Sequence, residues 1–267
     1  MDDPQLQAQI AAAKTYEELF VPALFTQWSP LLAGAAKIES RHRVLDVACG
    51  TGILARELAA RVGPTGSVTG LDVTPGMLEV ARNLAPAINW KHGNAEALPF
   101  PDQSFDRVVS QFGMMFFPDR VKSLREMLRV LVSKGHLAVA VWDSLESMPA
   151  YTEEVELLER IAGAPAANAL RAPFVLGNKN DLLKFAKEAN VATVEVKTHE
   201  GTANFPSLRS LVESDLRGWL PLLGVHLEEA MIQEILKEAE VALRKYVNAE
   251  GRAVFKISAH VLSGSKP

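Results

Sequence analysis

The stretch Val44-Leu45-Asp46-Val47-Ala48-Cys49-Gly50-Thr51-Gly52 constrains the fold of this chain more than any other. Apolar residues broken by one carboxylate lead into a Gly-Thr-Gly turn, and Ile53 to Val62 then reads as an amphipathic helix. A buried strand, a glycine turn and a helix N-terminus in that order hold a nucleotide-like ligand at the carboxyl edge of a parallel sheet. Leu71-Asp72 ends a second short apolar run, at the distance of about 20 residues expected for a ribose-binding acid.

The turn alone leaves two ligands open, because Gly50-x-Gly52-x-x-Ala55 with Asp72 also satisfies the loose dinucleotide fingerprint. Asp46 tilts the choice. A dinucleotide rests its anionic pyrophosphate on this turn and on the helix N-terminus, where a neighbouring carboxylate repels it. S-adenosylmethionine has no phosphate; its ammonium and sulfonium gain from an acid there. The bland readings are a solvated strand-end carboxylate for Asp46 and a helix cap for Asp72, since a helix is predicted to start near Pro75.

Further on, a strand-like run from Ile88 to His92 precedes Gly93-Asn94-Ala95-Glu96-Ala97-Leu98-Pro99, and Phe105 to Gln111 reads as another buried strand. With Asp72-Val73-Thr74-Pro75-Gly76-Met77-Leu78, Leu124 to Leu131 and Gly135-His136-Leu137, these segments resemble the class I S-adenosylmethionine-dependent methyltransferases. The resemblance is to the branch similar to the ubiquinone and menaquinone biosynthesis enzymes and covers about residues 44–143. It implies an α/β fold: a Rossmann-like, doubly wound seven-stranded sheet with strand seven antiparallel, N-terminal helices, and a helical cap inserted after strands five and six.

It also implies a cofactor site. Asp46, Ala48, Gly50 and Gly52 would wall the methionine moiety, the glycines admitting a close backbone approach. Asp72 would accept the ribose hydroxyls, Val73 and Met77 would pack on the adenine, and Asn94 with Ala95 would read its edge. The family usually has Asp where this chain has Asn94; an amide oxygen still accepts, and its NH2 donates. Gln111 and Phe112 would lie beside the methionine amino group and the transferring methyl.

Composition narrows the partners. With 28 basic and 32 acidic residues the net charge is −4, and no dense basic run is present, which argues against a nucleic-acid substrate. A single cysteine, Cys49, excludes a disulfide framework and a thiol-only metal cluster, and no His or carboxylate spacing suggests a metal. The start Met1-Asp2-Asp3 lacks a basic region followed by an apolar one, and no apolar run approaches membrane-spanning length. A cytoplasmic monomer or homodimer acting on a small molecule is expected.

Residues 1–43 read as an N-terminal helical flap, helical over Leu6 to Lys14 and aromatic-rich from Tyr16 to Trp28. Residues 44–267 read as one methyltransferase domain, with cap insertions at about 148–190 and 205–250. The alternation predicts strands near 44–48, 68–72, 88–92, 105–111 and 136–142, and helices near 53–62, 75–84 and 120–132. Later helices are predicted at 151–162, 180–188, 205–220 and 227–247, and further strands at 191–198 and 253–261.

Acceptor-site signals are weaker. Tyr16, Phe20, Phe25 and Trp28 read either as a flap over the cofactor or as core. Phe112, Met114, Met115, Phe116 and Phe117 follow the fourth strand, where adaptable thioethers and rings suit a flat apolar acceptor, or else pack the next helix. Trp142 is a candidate pocket wall; Trp219 and Pro221 read as cap packing. Of six histidines, His199 and His226 fall where the cap would face the pocket and are candidate general bases. Two other functions share the motif: a nicotinamide-dependent oxidoreductase, which leaves Asp46 and Asn94-Ala95 unexplained, and a non-catalytic regulator that binds the same methyl donor.

Overall fold

The computed structural model describes residues 3–267; Met1 and Asp2, the first residues of the expected leaderless start, lie outside the described residues. Seven strands form one sheet: β1 (Arg43–Val47), β2 (Ser67–Asp72), β3 (Asn89–His92), β4 (Phe105–Gln111), β5 (Leu131–Trp142), β6 (Ala192–Phe205) and β7 (Ala253–Ser265). Their order is β3-β2-β1-β4-β5-β7-β6. The first five are parallel, and β7 lies antiparallel between β5 and β6, as the resemblance implies. Val44, Leu45 and Val47 are fully buried, because helices cover both faces of a parallel sheet.

Strand order reverses between β1 and β4, so a crevice opens at their carboxyl ends. Ala48 and Phe112, the residues just past those ends, have left-handed φ angles of 57° and 56°. Non-glycine residues carry strain there, and such strain persists where the surrounding fold dictates it, often at binding sites. A Cβ on the neighbouring Gly113 would lie 2.5 Å from the Ala48 Cβ, so the two strand ends meet with no room for another side chain.

Helices Ile53–Val62 and Pro75–Leu84 stand where the periodicity places them, burying Leu54, Ala55, Leu58 and Val62 in the first and Leu78, Val80 and Ala81 in the second. Pro75 opens its helix at a position that needs no amide donor. Asp119 caps Arg120–Val130 by accepting from the Lys122 amide at 2.9 Å. Arg129 of that helix donates to the carbonyls of Leu98 and Phe100, both at 2.9 Å, and so holds the loop that carries Asn94.

Several elements differ from expectation. Gly163-Ala164-Pro165 reads as a break, yet Ala164–Arg171 is a helix, because a proline in the first turn starts a helix as readily as it ends one. The expected helix over 227–247 stops at Ala242 and is followed by a short 3-10 turn, Arg244–Tyr246. β6 runs to Phe205 rather than Thr198, because pairing with β7 carries the polar stretch Thr198 to Thr202 in register. Within it the Gln27 side chain bonds both backbone groups of Thr202, each at 2.9 Å, and Gly201 leaves room for Trp28.

The N-terminal helix Pro4–Thr15 continues as a wide π-helical segment, Tyr16–Phe25. A second π-helical segment, Ser214–Trp219, follows helix Leu208–Glu213 and packs against the first, with Gly218 beside the Phe20 ring. Both contribute side chains to one cavity. Among the described residues no helix is long and apolar enough to cross a membrane.

Candidate functional site

A cavity of about 570 Å3 lies over the carboxyl ends of β1, β2 and β4. Its floor is built from strand ends. The Asp72 carboxylate ends β2; Oδ2 accepts from the Gly50 amide and Oδ1 from the Thr74 amide, both at 2.8 Å. Burial raises its pKa, and these amide hydrogen bonds pull it back down.

Asp46 lies beneath that floor. It is 1% exposed, and neither carboxylate oxygen has a well-formed hydrogen bond. Burial holds its pKa well above the usual carboxylate range; the charge of Asp72 adds to this, and the Ala55 amide only partly offsets it. Two acids thus stack in the site, while among the described residues no Lys, Arg or His lines the cavity. An anionic pyrophosphate finds no cation here. With Asp46 held toward its neutral form, a cationic ligand meets the Asp72 carboxylate and no competing cation.

Of the expected cofactor residues, Ala48, Gly50, Asp72, Val73, Met77, Asn94, Ala95 and Phe112 line the cavity together. Asn94 Oδ1 accepts from the Glu96 amide at 2.8 Å, which turns the loop back on itself and makes the side-chain NH2 the group free to bind. Asp46, Gly52 and Gln111 do not reach the cavity. Gly52 has a different reason to be glycine: at φ 89° its Cβ would lie 2.4 Å from the Trp90 ring, which is wedged under the turn. Gln111 is held by the N-terminal segment, accepting from Ser29 Oγ at 3.0 Å and donating to the Phe25 carbonyl at 3.2 Å. Its amide is therefore spent on positioning.

The aromatic residues divide likewise. Tyr16, Phe20, Phe25, Met115, Phe116, Phe117 and Trp142 line the cavity, whereas Trp28 and Met114 are 1% exposed core residues. Phe112 stacks on Trp142 with centroids 4.0 Å apart, and Phe25 tilts against both. Trp28 supports this wall edge-on from behind. Arg56 fixes the N-terminal segment over the glycine turn, donating to the Thr51 carbonyl at 2.8 Å and pairing with Glu17 at 2.6 Å.

Neither candidate base reaches the cavity. His199 lies on the edge strand β6, and His226 is exposed in the loop before helix Glu229–Ala242. Periodicity places neither on a buried face of the cap. Among the described residues no three His, Cys, Asp or Glu side chains converge to hold a metal.

The residues not anticipated include five of the cap, Met148, Tyr151, Leu170, Phe174 and Asp215. Asp215 is 3% exposed and faces a fully buried Glu154. A signal for Glu154 exists in the sequence: Tyr151, Glu154, Val155 and Leu158 fall on one helical stripe, which places an acid on an apolar face.

A methyltransferase-domain family model matches residues 44–135, the part that holds the glycine turn, Asp72 and Asn94. A demethylmenaquinone methyltransferase of Staphylococcus aureus is 31% identical over 206 residues, covering 71% of this chain and 85% of that protein. One from Listeria welshimeri is 41% identical over 120 residues, 43% of this chain; that match spans about half, 51%, of the relative's length. Among solved structures, phosphoethanolamine N-methyltransferase 2 of Haemonchus contortus, in complex with S-adenosyl-L-methionine, superposes with a TM-score of 0.61 at 17% identity, covering 97% of this chain and 57% of that one. A seven-stranded sheet of this order, a glycine turn closed by Asp72 and a relative matched over most of its length agree: the chain belongs to the class I S-adenosylmethionine-dependent methyltransferases of the ubiquinone and menaquinone type.

Proposed function

We propose that the chain transfers a methyl group from S-adenosylmethionine to a small, largely apolar, aromatic acceptor. One observation carries this reading. A single cavity joins Asp72, Val73, Met77 and Asn94 to a chamber walled by Phe112, Trp142, Tyr151, Phe174 and Trp219, with no basic side chain among its described lining residues. The names of the curated relatives favour a quinone-type ring as acceptor.

The residues present fit the cofactor. Asp72 keeps a second lone pair on each oxygen for ribose hydroxyls, the free Asn94 NH2 suits a ring nitrogen, and Val73 and Met77 offer apolar faces. Gly50, at φ 55°, leaves its turn open beneath the Tyr16 ring. When bound, S-adenosylmethionine supplies an electrophilic methyl on a sulfonium sulfur. Tyr16, Phe25, Phe112 and Trp142 line the cavity together and would offer aromatic surface to that positive charge and exclude water. Much of the rate of such an in-line displacement comes from holding acceptor and methyl at near-attack distance, which a rigid aromatic wall does.

Isothermal titration with S-adenosylmethionine, S-adenosylhomocysteine and NAD tests the cofactor. Both sulfur ligands are expected to bind and NAD to give no heat; binding of NAD alone refutes the proposal. A screen of phenols, quinols, amines and carboxylates with a tritiated methyl donor then tests turnover. Label is expected in the phenols or quinols, and transfer to any of the compounds refutes the non-catalytic regulator, while label in none of the phenols or quinols refutes the aromatic acceptor proposed here.

A further inference from the structure

Glu154 and Asp215 are both buried acids, at 0% and 3% exposure. They belong to two segments of the cap, helix Pro149–Ala162 and the π-helical segment Ser214–Trp219, and their side chains meet closely enough for each to alter the other's titration. Outside the pair, neither Glu154 oxygen has a hydrogen-bond partner, and neither does Asp215 Oδ2. Burying a carboxyl without a donor costs free energy, and an apolar pair of similar volume usually serves stability as well or better. Packing therefore gives no account of these two residues. Asp215, unlike Glu154, lines the cavity, in company with Tyr151, Phe174, Trp219 and Leu170. Its backbone belongs to a π-helical turn, a costly geometry that recurs where a side chain must be aimed at a ligand.

We propose that Asp215, backed by Glu154, is the polar anchor of the acceptor chamber and hydrogen-bonds a hydroxyl carried by an otherwise apolar aromatic acceptor. The two carboxyls cannot both ionise cheaply in this setting, so the pair keeps a proton at neutral pH and presents both a donor and an acceptor. A hydroxyl uses both. Around it, Tyr151, Phe174, Trp219 and Leu170 are apolar apart from the phenol of Tyr151 and the indole N–H of Trp219, which is taken up by the Ala169 carbonyl at 3.0 Å, so Asp215 orients an acceptor that the walls hold chiefly by area. The occupant class rests on the methyltransferase reading; the anchor itself rests on the buried pair.

Binding of 1-naphthol, naphthalene and 1-naphthylmethylamine to the full chain saturated with S-adenosylhomocysteine tests this, read by tryptophan fluorescence. The wild type is expected to bind 1-naphthol about tenfold or more tighter than naphthalene, the scale for leaving a buried polar group unpaired. Asp215→Leu should erase that preference while still binding naphthalene, and Asp215→Asn should keep part of it. A merely structural role would change melting temperature without touching the naphthol-to-naphthalene ratio. Should Asp215→Leu fail to fold, the wild-type ratio together with Asp215→Asn still decides. Equal affinity of the wild type for the two, no binding of either, tighter binding of the amine, or an unchanged preference in Asp215→Leu overturns the proposal. If S-adenosylhomocysteine itself does not bind, the methyltransferase reading fails separately.

Discussion

The amide of Gly50 donates to the carboxylate of Asp72 across 2.8 Å, tying the glycine turn after β1 to the end of β2. The acid is thereby aimed before any ligand arrives, and Thr74 holds its other oxygen. Such preorganisation lowers the ordering cost of binding. Asp72→Ala should therefore weaken binding of S-adenosylhomocysteine by about 1–3 kcal/mol, the scale for unpaired buried groups. Titration calorimetry reads this directly, and unchanged affinity would refute a ribose-binding role for Asp72.

Gly52 faces a ring, not the cavity. Gly52→Ala adds a methyl 2.4 Å from Trp90 at a left-handed φ, and should destabilise the ligand-free protein by about 1–3 kcal/mol. Trp90→Leu in the same chain should recover the packing part and leave the backbone strain, a coupling that a double-mutant cycle of melting temperatures measures. Additive effects of the two changes would show that the ring is not the obstacle.

Gln111→Ala removes two hydrogen bonds that dock residues 25–29 against β4. Stability should fall by about 1–2 kcal/mol. Cofactor affinity should change little, because Gln111 does not line the cavity. A large loss of affinity at unchanged stability would return the residue to the cofactor's first contacts.

Arg56 and Glu17 hold the N-terminal segment over the glycine turn through a partly buried pair. Arg56→Met should weaken cofactor binding by about 1 kcal/mol, roughly fivefold. It should also speed proteolysis between residues 3 and 28, where the segment loses its tether; an unchanged digestion rate would count against that tether.

The buried acid pair predicts a pH dependence. Burial pushes the Asp215 carboxyl up to about 8, and burial together with the charge of Asp215 raises Glu154 well above its usual range. Unfolded carboxyls titrate near about 4, so between these values the folded state binds more protons than the unfolded one. The contribution of Asp215 to stability is thus greatest below about pH 4 and is lost as pH rises toward about 8. Among the described residues no cationic side chain lines the cavity to reverse the sign. Melting temperatures of wild type and Asp215→Asn across this range should shift steadily in favour of the variant as pH rises; a constant difference would contradict the shift.

Local pattern determined the first strands and helices of the sheet, while the order of its last strands and most of the candidate nucleoside residues came from the family resemblance. Helices Ile53–Val62 and Pro75–Leu84 fall where the sequence places them, because apolar periodicity, a proline start and glycine punctuation act over neighbouring residues. Asp72 was legible as a candidate because it ends β2 about 20 residues after the glycine turn, and Asn94 through the resemblance; both line the cavity. Tertiary structure decided what lies far apart in sequence. Whether Gln111 meets a ligand or the Phe25 carbonyl depends on a docking 86 residues away, and whether Gly52 makes room for a cofactor or for Trp90 depends on how β2 and β3 pack. The pairing of Glu154 with Asp215 was equally invisible. Glu154 stands out as an acid on an apolar stripe, but Asp215 is one acid among many, and only the fold buries the two together, where the cost of desolvating two carboxyls gives them meaning.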